Sequence, residues 1–286
     1  MLLAHADAVF TLTPGAAEAV ARDYGVRALV VPHPHIVPLD RIAAHLGAHG
    51  GYVSWSGGKD STVVLDLARQ ADPQVPVCFF DSGIEFPETL DYVAELTALW
   101  GLNLHTYTPS PSVLEILVAS GQWDHHAELR PTPDLFRAAM LEPARVAHEH
   151  HGPGLLWGVR SGESKGRRMG YARALAAVDC AEHATPASRR RHHGGVISRQ
   201  DGTVVYGPIW DWHTDQVWTY LAGRDIPPNP VYAKLTKAGA PPHAQRLEGM
   251  VAVAGIDNGS LLWLKRGWPD EFERLAQVLP RMRDYT

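Results

Sequence analysis

Cysteine is nearly missing from this chain: Cys78 and Cys180 are the whole complement of 286 residues, and neither stands in a Cys-x-x-Cys or Cys/His metal spacing. A cluster held by four cysteine sulfurs is therefore excluded, so no iron–sulfur cofactor is expected. Long apolar runs are missing too. None approaches the roughly 20 residues a membrane span needs, and the first residues lack a basic stretch followed by an apolar core, so the expected location is the cytoplasm with no membrane partner. Nor is there an excess of positive charge: 26 Lys and Arg against 31 Asp and Glu leave a net charge of −5, which gives no bulk attraction to nucleic acid. Sixteen histidines are present, grouped as His33 with His35, His125 with His126, and His148, His150 and His151. No second ligand group follows any of these at a metal-site spacing, and the last group suits a helix C-terminus for its charge alone.

What is there, at 45% hydrophobic and 20% charged residues, is an ordinary globular composition, and the length suits one main domain with an appendage. Its most informative stretch is Ser54-Trp55-Ser56-Gly57-Gly58-Lys59-Asp60-Ser61-Thr62. A short apolar strand (Gly51 to Val53) precedes it, and Thr62 to Arg69 continues as an amphipathic helix. Glycines at a strand-to-helix turn let backbone N–H groups approach a phosphate, the helix start adds free donors, and Lys59 adds a full charge. A Walker A loop is excluded, because position 53 is Val and Lys59 precedes Asp60 rather than Ser or Thr.

In chain order, residues 1–36 read as strand, helix, strand, and Pro32, Pro34 and Pro38 mark a linker. Leu39 to Leu46 is a short helix leading into the main domain. Val75 to Phe80 is a continuous apolar run, as in strands covered on both faces, and it ends at Asp81-Ser82-Gly83. Leu102 to Tyr107 alternates and belongs nearer a sheet edge. Ser112 to Ser120 and Asp134 to His151 are helices, the second kinked or divided at Pro143. Leu155 to Val159 is a buried strand delivering Arg160 in Arg160-Ser161-Gly162-Glu163-Ser164-Lys165-Gly166-Arg167-Arg168. Arginine's planar fork suits bidentate contact with phosphate or sulfate. His183 to Gly202 reads as a mobile polar excursion around Arg189, Arg190 and Arg191, solvated or facing an anion. Pro208 to Leu221 carries aromatics for core and lid support, with Thr214 capping a helix. The remainder, Ala233 to Thr286, is a helical tail packing Trp263, Trp268, Phe272 and Leu275 inward. Ligands of open parallel sheets bind beyond the carboxyl ends of the strands, so the glycine loop, Asp81 and Arg160 are expected to converge.

Four segments taken together resemble the PAPS reductase and sulfate adenylyltransferase small-subunit family of adenine nucleotide α-hydrolases: the Ser-x-Ser-Gly-Gly-Lys-Asp-Ser loop, Asp81 to Thr89, Gly158 to Arg168, and Pro208 to Trp218 with Ile226 to Tyr232. The resemblance implies an α/β fold with a doubly wound, mainly parallel sheet and a helical C-terminal tail. It divides the chain into an N-terminal α/β extension at 1–38, a nucleotide-binding domain at 39–232 and the tail at 233–286. It also implies ATP with Mg²⁺ as cofactors. Ser54, Ser56, Gly57, Gly58, Lys59, Asp60, Ser61, Asp81, Ser82, Gly83, Arg160 and Arg168 would bind the nucleotide, Lys59, Asp60, Arg160 and Arg167 would act in catalysis, and Asp60 and Asp81 would contact the metal.

The family's reductases attack sulfur with a cysteine in a C-terminal Glu-Cys-Gly-Leu-His motif, whereas no cysteine follows Cys180 here. Cleavage of ATP between its α and β phosphates, to activate an oxyanion or a sulfur-containing acceptor, is the reading that survives. A thiol-dependent PAPS reductase is an alternative. So are a cluster-free DNA phosphorothioation or defence pyrophosphatase, and a non-catalytic nucleotide-binding subunit. The expected partner is the adenine nucleotide, with a partner subunit or homodimer beside it; nucleic acid is the less favoured partner.

Overall fold

The computed structural model describes residues 9–11, 28–30, 36–163, 166, 169, 195–247, 249–251 and 259–286. Chain contacts divide these into two units, 1–41 and 42–286. In the first, β1 (Val9–Thr11) and β2 (Ala28–Val30) pair in parallel, Phe10 opposite Leu29. Helix α1 runs Ile36–His49, longer than the expected Leu39 to Leu46. Pro38 is therefore not linker: it lies in the first turn of α1, where its missing N–H would have had no helical partner. Pro32 and Pro34 lie outside the described residues.

The second unit is built on a six-stranded sheet in the order β5-β4-β3-β6-β8-β7. It comprises β3 (Tyr52–Ser54), β4 (Val77–Phe80), β5 (Leu104–Tyr107), β6 (Gly154–Trp157), β7 (Val196–Ser198) and β8 (Val204–Tyr206). All pairings are parallel except β7 with β8. The chain enters at β3, steps outward to β4 and the edge strand β5, then returns to lay β6 on the other side of β3. That reversal puts a topological switch point between β3 and β6, at whose carboxyl ends doubly wound folds bind ligands. Strand burial follows the expected patterns: β3, β4 and β6 are buried through most of their length, and β5 only partly. Of the expected excursion at 183–202, residues 183–194 lie outside the described residues, and the rest needs correction. Its end is not loose, because Val196–Ser198 forms an edge strand whose Ile197 faces Val205 across an antiparallel pair.

Helix α2 (Lys59–Ala71) starts directly after the glycine loop and buries every residue from Ser61 to Ala68. A helix apolar on one face alone would not do so; here the second face is covered by α6 (Thr214–Gly223). Asp66, wholly buried, joins the two helices: it accepts from Tyr220 Oη at 2.7 Å, Arg69 Nε at 2.8 Å, Gln70 Nε2 at 2.9 Å and Arg224 Nε at 3.2 Å. A buried carboxylate costs heavily unless its oxygens are paired, and these four partners supply the pairing.

Helix α3 (Pro87–Trp100) opens on proline and closes on Gly101 in the left-handed region. Helix α4 (Val113–Ala119) is capped by Ser112 and Glu115 reciprocally. Pro143 does divide its segment: a π turn at Arg137–Leu141 passes into α5 (Glu142–His151) with the proline in the first turn. Helices α7 (Val231–Ala238), α8 (Ser260–Gly267) and α9 (Pro269–Val278) form the tail. Trp268, Phe272 and Leu275 are buried in one core with Phe86, Val113 and Leu117, and Trp263 packs partly buried against it. Glu88 pins the tail to α3 by accepting from Trp268 Nε1 at 2.8 Å and pairing with Lys234. Among the described residues no helix is long and apolar enough to cross a membrane.

Candidate active site

The loop between β3 and α2 is held open by side chains that sequence distance conceals. Trp55, buried at the strand end, donates from Nε1 to Thr62 Oγ1 at 3.0 Å and fixes the turn against the helix. Gly57 has φ +69°, which favours glycine, and a Cβ there would crowd Thr89 Cγ2 at 3.2 Å. Asn229 clamps the same residue, donating from Nδ2 to Gly57 O at 3.3 Å and to Thr89 Oγ1 at 3.1 Å. Loop amides meet hydroxyls: Ser56 N–H donates to Ser61 Oγ at 3.2 Å, Gly58 N–H to Ser56 Oγ at 3.4 Å, and Lys59 N–H to Tyr232 Oη at 3.0 Å. Burial pushes the Tyr232 phenol well above its ordinary pKa, so it stays neutral across physiological pH.

Charge is concentrated where α2 begins. Lys59 Nζ lies 2.8 Å from Asp60 Oδ2, and Arg160 Nε donates to the other oxygen, Oδ1, at 2.6 Å. Arg160 is only 5% exposed. Its Nη1 donates to Trp212 O at 3.2 Å and Thr214 Oγ1 at 3.3 Å, while its backbone N–H donates to Glu163 Oε2 at 2.8 Å. Lys59 and Arg160 flank the Asp60 carboxylate beside the amino end of a helix, with the Glu163 carboxylate on the Arg160 amide as a second anion, so the N–H donors of the helix start are what make this a setting for an anion. Thr214 thus serves the arginine and not the helix cap expected of it; α6 begins one residue earlier, with His213 as N-cap and its N–H donating to Gln216 Oε1 at 2.8 Å.

Ser54 ends β3 opposite Cys78 and Trp157. Asp81, Ser82 and Gly83 follow β4, the next strand, at the same end of the sheet. Asp81 Oδ1 accepts from Gly83 N–H at 2.8 Å, closing a tight turn, and Ser82 Oγ donates to Glu85 Oε1 at 2.6 Å. Burial raises the Glu85 carboxyl above its ordinary range, partly offset by the Ser82 bond. Arg167 and Arg168 lie outside the described residues.

The Mg²⁺ contact expected of Asp60 does not fit this arrangement. Both Asp60 oxygens already face cationic nitrogens, whereas Mg²⁺ demands a near-octahedral set of oxygens. Among the described residues no group of three or more His, Cys, Asp or Glu side chains is arranged to hold a metal ion. Cys78 is no nucleophile either: it is wholly buried in the sheet, and burial pushes its thiol up to about 12. Cys180 lies outside the described residues.

Residues 51–238 match the family described as "Phosphoadenosine phosphosulfate reductase domain". The chain belongs to that family. A phosphoadenosine 5'-phosphosulfate reductase of Thiocapsa roseopersicina is 28% identical over 188 residues, which cover 63% of this chain and 65% of the relative. One from Xanthomonas campestris pv. campestris (strain B100) is 28% identical over 223 residues, covering 70% and 79%. The chain thus spans just under two thirds of the first relative's length. A crystal structure of the PAPS reductase of Candida auris with phosphate superposes with a TM-score of 0.48 at 20% identity, covering 82% of this chain and 95% of that one. Membership agrees with the strand order and with the loop at the switch point. The residues that sequence reasoning left out of the site are Asn229, Tyr232, Thr214 and Glu163. Asn229 and Tyr232 stand in the turn at Ile226 to Tyr232, but nothing local says that a residue 172 positions onward returns to the loop.

Proposed function

We propose that the site at these strand ends binds an adenine nucleotide and cleaves it between the α and β phosphates, transferring the adenylyl group to an oxyanion or sulfur-containing acceptor. The observation that carries this reading is the Lys59–Asp60–Arg160 triad at the amino end of α2, with Arg160 buried and fixed on four sides. In this reading the β and γ phosphates lie on the backbone amides of Ser56 to Ser61, with Lys59 beside them. Arg160 faces the α phosphate. An acceptor oxygen or sulfur forms a bond to the α phosphorus, the bond to the bridging oxygen breaks, and its electron pair leaves with pyrophosphate. The chain supplies no covalent intermediate; positioning and electrostatic stabilisation of charge gathered on the phosphates supply the rate.

The reading predicts pyrophosphate release from ATP–Mg²⁺ by the purified protein, stimulated by sulfate, another oxyanion or a sulfur donor. ATP binding without pyrophosphate release under all of these additions refutes it. The relatives' own name favours a second reading, reduction of phosphoadenosine phosphosulfate by a thiol. With Cys78 buried, that chemistry falls to Cys180. Sulfite formed from this substrate with thioredoxin, and lost in Cys180→Ser, decides for the reductase.

A further inference from the structure

Lys59 is the first residue of α2, so its N–H points out along the helix axis toward the position an anion takes at a helix start. That N–H is held by Tyr232 Oη at 3.0 Å, from a residue 173 positions away. The phenol is seated for this contact: Lys59 Nζ lies 5.6 Å from the ring centroid, and half-buried Trp218 packs edge-on at 5.4 Å. Tyr232 stands in the first turn of α7, directly after the Asn229 that clamps Gly57. The neighbouring amides of Ser56 and Gly58 are met by Ser61 and Ser56, whose hydroxyls rotate in place within the loop. Tyr232 differs, because its oxygen leaves the amide only when the whole ring moves.

We propose that Tyr232 is a stopper in the phosphate cradle: its hydroxyl holds the Lys59 amide where a phosphate oxygen would sit, and it withdraws when the pyrophosphate portion of a nucleotide binds. This rests on the reading that the loop from Ser54 to Ser61 is a phosphate site. A neutral phenol satisfies the helix start without competing strongly, since a bond from the same amide to a charged phosphate oxygen is roughly twice as strong as a neutral one. The exchange is therefore favourable, and it carries a penalty of one lost neutral hydrogen bond. Tyr232 is carried by α7, which packs on α8.

The test compares the wild type with Tyr232→Phe, which keeps the ring and removes the oxygen, by calorimetric titration with inorganic pyrophosphate and with ATP. The variant is expected to bind both about three- to tenfold more tightly, the equivalent of one net hydrogen bond. A residue that merely supports the loop would weaken binding when altered. In the wild type, pyrophosphate should also change tryptophan emission, and the change should vanish in Trp218→Phe. Equal or weaker binding by Tyr232→Phe, or unaltered Trp218 emission at saturation, overturns the proposal while leaving the phosphate site standing. Failure of both proteins to bind pyrophosphate and ATP overturns the phosphate site itself, and the stopper with it.

Discussion

Arg160→Ala is expected to cut pyrophosphate release by about 10²–10³-fold, the usual effect of removing a donor aimed at developing charge, and to lower stability by about 3 kcal/mol. Both losses have one origin. The guanidinium is buried, pairs with Asp60 Oδ1 at 2.6 Å, and ties the end of β6 to the first turn of α2 and to the segment before α6. Its removal leaves a largely buried carboxylate with one partner and strands the Trp212 carbonyl. The cost stays near the lower end for broken buried pairs because Lys59 remains on Asp60 Oδ2. Lys59→Ala provides the contrast. Asp60 then keeps its pairing with Arg160, so stability should fall by only about 1 kcal/mol while turnover is lost. Urea unfolding and a pyrophosphate assay on the two variants separate these effects. Wild-type turnover in either variant would show that the chemistry lies elsewhere.

Gly158→Ala is the second large effect expected, and it involves no charge. A Cβ at Gly158 would lie 2.5 Å from Ser61 N, 2.6 Å from Asp60 C and 2.7 Å from Ser61 Cα. All three atoms are backbone, so no side-chain rotation relieves the clash; the end of β6 must retreat from the start of α2. That retreat separates Arg160 from Asp60 and from the loop. A displacement on the order of 1 Å at reacting groups costs about 10²-fold in rate, and the overpacking itself about 1–3 kcal/mol. Gly162→Ala, two residues past Arg160, is the matched control, because nothing lies within 4 Å of a Cβ there. If Gly158→Ala turns over like Gly162→Ala, close approach of β6 to α2 is not what assembles the site.

Much of the architecture is legible because it is local. The unbroken apolar run before Asp81 and the alternation before Thr108 place β4 inside the sheet and β5 at its edge, since burial on two faces or one leaves different periods. The glycine loop is legible for the same reason: Gly57 must take φ +69° in the turn that starts α2, and a short stretch encodes that need. Elsewhere the local signal is ambiguous by a residue or by context. Thr214 reads locally as the cap, but α6 takes it as its first residue after His213, and its Oγ1 accepts from Arg160 Nη1 instead. Pro38 reads locally as linker, and the run of α1 from Ile36 overrules that reading. The strand at Val196–Ser198 is three residues long and largely exposed, and it exists because β8 offers it an unpaired edge.

By itself, then, the sequence determined the elements and the chemistry on offer: a phosphate-sized loop, a lysine, an acid after one strand and an arginine after another, with no thiol in a catalytic motif. Only the tertiary structure decided which of these act on one another. Laying β6 beside β3 brings Arg160 onto Asp60 across a hundred residues, and folding α7 back over the loop sets Tyr232 on the Lys59 amide. The reason is that strand order and helix return are settled by burial of whole faces, a property of the assembled sheet and its covering helices that no single segment carries.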